Sequence, residues 1–262
     1  MPEGDTVWRA ARMLDRSIVG RTLVRSDFRV PRLATVDLAG AVVASSASRG
    51  KHLLLRLDHD TPWTLHTHLK MEGAWRTFSP GQPWRRPAHT ARVVLTTDGP
   101  TAVGFSLGVV ELWPRAEEQD RLSHLGPDLL GPDWDPEEAL RRLLAEPSTP
   151  LVQALQDQTR MAGVGNMYAN ELCFLAGLDP HVPVGAVERP ERLVQRAQQV
   201  LTVNKERAQQ STTGDLAPGR RTWVYRQKAC RRCHGRISTT MLGVEGQERA
   251  TYWCPSCQRT VA

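Results

Sequence analysis

Residues 230–257 read CRRC HGRISTTMLGVEGQERATYW CPSC, two C-x2-C pairs with twenty residues between them. Each pair, Cys230 with Cys233 and Cys254 with Cys257, supplies two thiolates from one tight turn, and two such turns complete a closed tetrahedral zinc site. A four-sulfur shell leaves no position for water or substrate. The expected metal is therefore one structural Zn2+, and any catalysis belongs elsewhere. Between the pairs, RISTTMLGVEGQERATYW alternates and carries turn residues, which predicts a β-hairpin and hence a hairpin zinc ribbon. The fifth cysteine, Cys173, stands alone, so the cysteines indicate metal rather than a disulfide framework.

The ribbon also holds the charge. The chain of 262 residues carries a formal +6, yet residues 220–262 contain nine Arg or Lys against Glu245 and Glu248. The preceding 219 residues are left with 25 basic and 26 acidic side chains. A basic segment of this density suits phosphates. A solvated, solubilising face is the alternative reading of a charge run, and the adjoining cysteines favour nucleic acid. No apolar run is long enough to cross a bilayer, and Glu3 and Asp5 do not suit a secretory leader. The expected place is the cytoplasm, in association with the nucleoid, with no membrane partner.

Upstream of the ribbon the hydrophobic period is helical. DPEEALRRLLAE starts a helix behind Asp135 with Pro136 in the first turn, and a second helix opens at Thr149-Pro150. A third spans about 167–176 and stops at Gly177, and a fourth covers about 190–209. Residues 116–135 are polar and rich in Pro and Asp, as in a hinge. Before it the pattern shortens to β-branched and alternating runs: HLLLRL at 52–57, TLHTHLKMEGAWRTF at 64–78, and ARVVLTT and TAVGFSLGVVELW joined through Asp98-Gly99. These predict an antiparallel β-sandwich. Val7, Ala11, Leu14 and Ile18 form one stripe of a leading helix over 6–18, with Asp5 as its N-cap. The expected fold is α+β with two domains: a sandwich with leading helix over 1–115, a hinge over 116–135, helices over 136–220 and the ribbon over 221–262.

Two further motifs bear on chemistry. Gly163-Val164-Gly165-Asn166 opens a helix, where small residues admit close backbone approach and the helix dipole favours an anion such as a DNA phosphate. The same glycines also suit a plain helix connection. The chain begins Met-Pro-Glu-Gly-Asp, and removal of Met1 exposes a secondary amine that titrates near neutrality. Such an amine attacking a sugar C1′ gives a cationic iminium directly. Glu3 is placed to supply or accept the protons.

With MPEGDTVWRAA, SRGKHLLL, THLKMEG, QDQTRMAGVGNMYANELCFLAG and CRRC…ATYWCPSC in this order over nearly the whole length, the chain resembles the Fpg/Nei family of DNA glycosylases. The resemblance implies a helix-two-turns-helix region within the helical domain and DNA held in the cleft between the halves. It also implies a monomeric bifunctional glycosylase and β,δ-elimination lyase, acting on DNA with oxidised bases or abasic sites. By the same resemblance Pro2 is the iminium-forming nucleophile, Glu3 the general acid, and Lys51 the hairpin lysine that holds a phosphate beside the lesion. Asn166 and Arg249 become phosphate ligands. Met71 falls where the family fills the gap left by the extruded base, or else it is a core methionine.

Three departures place the chain nearer the endonuclease VIII (Nei) branch, whose lesions are mainly oxidised pyrimidines. The Arg-Phe-Gly loop of the formamidopyrimidine branch is here Ser106-Leu107-Gly108, leaving Leu107 as the second side chain to intrude into DNA. The sixth residue is Thr6 where the family carries an acid, and 211–228 lacks the long loop that folds over an oxidised purine. The alternatives are an oxidised-purine glycosylase, a damaged-DNA-binding protein without catalysis if Met1 stays, or a ribbon appended to an unrelated sandwich enzyme.

Overall fold

The computed structural model describes residues 2–243, 245–246 and 248–260. Its contacts divide the chain into two compact units, Met1–His124 and Leu125–Ala262.

The first unit is the expected sandwich. Helix α1 (Gly4–Ile18) precedes β1 (Leu23–Phe28), β2 (Val42–Arg49), β3 (His52–Asp58), β4 (Trp63–His68), β5 (Ala74–Phe78), β6 (Ala91–Thr97), β7 (Thr101–Phe105) and β8 (Val109–Pro114). The strands form two antiparallel four-stranded sheets, ordered β1-β6-β7-β5 and β2-β3-β4-β8. The period of two decides what lies between them. Leu53, Leu55 and Leu57 of β3 and Leu65 of β4 share one core with Val93 and Leu95 of β6, Trp75 of β5 and the α1 stripe Val7, Ala11, Leu14 and Ile18. The alternate positions of the same strands, His52, Arg56, Thr64, His66 and His68, therefore share the opposite face of the sheet with Glu111 and Trp113 of β8.

Helix α1 begins two residues earlier than the sequence suggests, with Glu3 rather than Asp5 at the N-cap position. Asp5 is buried and paired with Arg9 one turn on, at 3.2 Å, so its carboxylate braces the helix side rather than its end. The hinge expected over 116–135 is also partitioned. Its first part contains α2 (Glu118–Leu122), tied to the sandwich where Glu118 accepts Arg56 Nε at 2.9 Å and the Thr64 hydroxyl at 2.6 Å. Its second part belongs to the helical unit: Asp128 bridges Ala162, and Leu129 is buried in that unit's core.

The second unit contains α3 (Pro136–Leu143), α4 (Leu151–Gln156), α5 (Asn166–Ala176), α6 (Pro190–Lys205) and the ribbon strands β9 (Ser238–Leu242) and β10 (Arg249–Trp253). Asp135 caps α3 by accepting from the Glu137 and Glu138 amides, as its position in the sequence requires. Gly177 ends α5 at φ 72°, a left-handed conformation that a side chain resists. α6 ends at Lys205, short of 209, because Asn204 turns back on the chain. Its amide donates to Val200 and Ser211 carbonyls and accepts the Ser211 N–H, closing the 204–211 loop. Among the described residues no helix is long and apolar enough to cross a membrane.

Candidate active site and nucleic-acid interface

Pro2 is half-buried immediately before the first turn of α1, and Glu3 is fully buried there. The Glu3 carbonyl accepts the Thr6 and Val7 amides, at 2.9 and 3.0 Å, so the backbone that carries this carboxyl group is fixed by the helix start. Met1, on which the state of the Pro2 nitrogen depends, lies outside the described residues. Lys51 sits half-buried in the two-residue turn between β2 and β3. Gly50 supplies the positive φ of 55° that tight hairpin turns need at their first central position.

Beside Lys51 the outer face of the second sheet carries a histidine group that sequence patterning missed. Glu111 accepts from Trp113 Nε1 at 3.2 Å and lies 3.0 Å from His66 Nδ1, and His66 Nε2 lies 2.8 Å from His52 Nδ1. With Glu111 ionised, His66 Nδ1 donates to it, and His66 Nε2 then accepts from His52 Nδ1–H. Both imidazoles are neutral in this arrangement. Burial first, then His66, His68, His124 and Lys51, lowers the His52 pKa to about 3, and burial first, then Lys70, Lys51 and His66, lowers that of His68 to about 4. His68 Nδ1 accepts the Lys70 amide at 2.9 Å, which leaves Nε2 as the donor nitrogen of that ring. The only signal in the sequence is H-x-H within β4, which is indistinguishable from ordinary alternation until the strand register is known.

Met71 and Leu107 part company. Met71 is 57% exposed in the turn after β4, so it is not the core methionine of the alternative reading. Leu107, expected to intrude into DNA, is instead 6% exposed and packed in the sandwich core. Ser106 adopts φ 47° and donates its amide to the Thr90 carbonyl, which turns Leu107 inward over Gly104, where no side chain could fit beneath it. The two loops brace one another: the Gly108 amide donates to the His68 carbonyl, and a side chain at 108 would collide with Lys70.

In the second unit the Gly163–Asn166 turn is clamped by Gln158, whose amide donates to the Gln156 and Val164 carbonyls and accepts the Gly163 N–H. Asn166, 8% exposed, donates Nδ2 to the Ala250 carbonyl at 3.0 Å and accepts from Gln156 and Asn170. One turn on, Asn170 accepts the Tyr252 N–H at 2.6 Å. Two asparagines at i and i+4 thus fasten alternate residues of β10 to α5 and bring Arg249, exposed on the neighbouring position, to the N-terminal end of that helix. Asn170 escaped sequence reasoning because a buried helical Asn shows no periodicity of its own.

The four ribbon sulfurs lie within 4.8 Å of one another, with Cys230 to Cys257 at 3.9 Å and Cys233 to Cys254 at 3.4 Å. Tetrahedral Zn–S bonds of about 2.3 Å imply S···S edges of about 3.8 Å, so the sulfur set fits the metal. None of the cysteines is bridged. Arg232, within CRRC, is exposed, and its guanidinium lies 4.5 Å from the Phe174 ring, which stacks on Trp223.

A sandwich that begins on a buried N-terminal glutamate, and a helical unit bearing a four-cysteine ribbon, define the class of two-unit glycosylases of DNA repair. The chain belongs to the formamidopyrimidine-DNA glycosylase family: residues 1–106 match its N-terminal domain and residues 125–215 its H2TH domain. It is 50% identical to a protein of Streptomyces coelicolor named probable endonuclease 8 2, covering 98% of this chain and 94% of that one. It is also 50% identical to the DNA-(apurinic or apyrimidinic site) lyase Nei2 of Mycolicibacterium smegmatis, over 98% of this chain and 99% of that one. Among solved structures, a complex of the LlFpg protein with THF-DNA and an inhibitor superposes with a TM-score of 0.80 over 98% of this chain and 100% of that one, at 22% identity. That likeness concerns the fold.

Proposed function

We propose that the chain is a bifunctional DNA glycosylase and abasic-site lyase of the endonuclease 8 type, acting through an iminium at Pro2. The observation that carries this reading is the chain start, where a half-buried proline precedes a fully buried glutamate at the first turn of α1. It is supported by half-identity with a named lyase across nearly the whole chain. With Met1 removed, the Pro2 nitrogen bonds C1′ as the base departs. Glu3 delivers a proton to the opening sugar, and the resulting iminium acidifies the neighbouring carbon so that the phosphates leave by β- and then δ-elimination. Lys51 and Arg249 bind backbone phosphates, Asn166 adds its second amide hydrogen to that task, and Met71 enters the gap left by the extruded base. Cys230, Cys233, Cys254 and Cys257 hold one structural zinc.

Oxidised pyrimidines are the favoured substrates. The segment after α6 is short and pinned: buried Glu171 accepts the Trp223, Val224 and Tyr225 amides and the Thr212 hydroxyl. A chain tied down at both ends is poorly suited to fold over an oxidised purine.

Borohydride trapping on duplexes carrying an abasic site or an oxidised pyrimidine tests the reading. Protein with a verified free Pro2 gives a covalent adduct, and substitution of Pro2 removes it. Absence of any adduct from that protein overturns the reading.

A further inference from the structure

Several arginines of this chain are matched by carboxylates. Arg9, Arg56, Arg141, Arg142 and Arg160 each lie within 3.2 Å of a carboxylate. Among those without such a partner, four converge on one cavity. Arg189 is the N-cap residue of α6, and Arg192 and Arg196 lie four residues apart on one face of that helix. Together with Arg259 they rim a cavity of about 640 Å³, and no ion pair or side-chain hydrogen bond engages any of the four among the described residues. Glu188 is the one carboxylate in the lining.

The cavity floor is apolar, formed by Leu175 and Leu178 at the end of α5 and by Val187 and Leu193. Its walls are rigidly tied. The Arg259 amide donates to the Gly177 carbonyl, the Asp179 amide donates to the Arg259 carbonyl, and Gln258 Nε2 donates to the Leu178 carbonyl. The last knuckle of the ribbon is thereby sewn to the C-terminal end of α5. The Asn166 turn lies at the other end of this eleven-residue helix, about 15 Å away at 1.5 Å per residue.

We propose that this cavity docks an acidic peptide segment of a partner protein, with an aliphatic or aromatic side chain seated on the leucine floor and flanking carboxylates on the arginine rim. Charge complementarity calls for an anionic occupant, because four arginines converge on a lining that holds Glu188 as its one carboxylate. The apolar floor separates a peptide from DNA: phosphodiester oxygens gain nothing from leucine, whereas an acidic peptide bearing one apolar anchor satisfies both floor and rim. Arginine forks suit bidentate carboxylates.

Fluorescence anisotropy on the full-length, zinc-loaded protein tests this. The probe is a fluorescein-labelled twelve-residue peptide of Asp and Glu with Leu and Phe at its centre. Saturable binding is expected, weakened at least about tenfold by Arg192→Glu/Arg196→Glu and by replacing the peptide's Leu and Phe with Gly. Cleavage of abasic-site DNA by the double variant stays at the wild-type rate, which also shows that it folds. Equal binding of the Gly-substituted peptide, no saturable binding, or loss of DNA cleavage in the double variant with displacement of the peptide by plain duplex each overturns the proposal, the last in favour of a second nucleic-acid contact. Failure of borohydride trapping leaves this test untouched, since the peptide is read on binding alone.

Discussion

The Asn166 side chain has four hydrogen-bonding valences and the fold uses three of them: two on Oδ1, from Gln156 and Asn170, and one Nδ2 hydrogen on Ala250. The fourth, an Nδ2 hydrogen, is the one the proposed function assigns to a phosphate. Asn166→Ala removes the strap and the proposed phosphate donor together, so the expected outcome is a fall in DNA affinity of about tenfold or more and earlier melting of the helical unit. Asn166→Asp keeps the acceptor oxygen but sets a carboxylate where phosphate approaches. It weakens DNA binding more than Asn166→Ala does, as read by anisotropy, and the reverse order would assign Asn166 to structure alone. At the other site, Glu3→Gln preserves size in a fully buried position while removing the acid. Cleavage of abasic-site duplex by this variant is spared relative to excision of an oxidised pyrimidine, a ratio measured on two matched duplexes.

At the scale of elements, the outer face of the β2-β3-β4-β8 sheet is where residue chemistry becomes collective. His52 is held neutral by burial and by the positive or ionisable neighbours Lys51, His66, His68 and His124, while Glu111 and Arg121 act on the adjoining His66. Because the folded imidazole binds a proton only near pH 3, below its ordinary value of 6.5, added protons favour the unfolded chain. Its contribution to stability is present above pH 6.5 and is lost as the pH falls from there toward 3. The Tm of wild type therefore drops more between pH 7 and 4 than that of His52→Gln, and parallel curves would acquit the histidine. In the helical unit, burial pushes the Glu171 carboxyl up, while the Thr212 hydroxyl and three backbone amides pull against it. Glu171→Gln turns a donor toward donors and costs about 2–4 kcal/mol in urea denaturation. How much of this was legible in advance follows the range of the interaction. The Asp135 cap, the Gly177 stop, the zinc quartet and the two alternating leucine strands are local patterns, and each is where its spacing put it. The histidine chain joins three strands, and Glu171 joins a helix to a segment some fifty residues on, so neither exists until register and tertiary packing do. Leu107 misled because a backbone reversal at Ser106, not its residue type, decides which way it points.

For the molecule as a whole, two separate cores mean that the parts have separate stabilities. One core is built by the sandwich and α1, the other by α3 to α6. The ribbon packs Leu242 and Tyr252 against the helical core and shares a small cluster of Phe174, Val224, Cys230, Ile237 and Cys254, two of whose five members are proposed metal ligands. Metal binding is therefore expected to contribute much of its folding. Cys254→Ser, or chelation, is expected to collapse the ribbon while the sandwich keeps its own transition in calorimetry, and to weaken DNA binding because Arg249, the proposed phosphate ligand, loses its strand. Retention of full affinity after verified zinc removal would show that the ribbon does not carry phosphate contacts. The formal charge of the last 43 residues is an upper bound on those contacts, since the Arg232 guanidinium is positioned by Phe174 and Trp223 and that of Arg226 lies over Tyr225 at 5.4 Å. With Arg259 at the cavity, Arg249 and five other tail cations are left, and the proposed footprint on DNA is Lys51, Arg249 and one or two of those five. Three to four neutralised phosphates give a slope of about −3 to −3.5 in log K against log salt, or roughly a hundredfold loss of affinity from 50 to 200 mM. Arg249→Ala reduces that slope by about one. A slope near −7 would mean that the whole basic tail lies on the backbone, and a slope near zero that the charge serves something other than DNA.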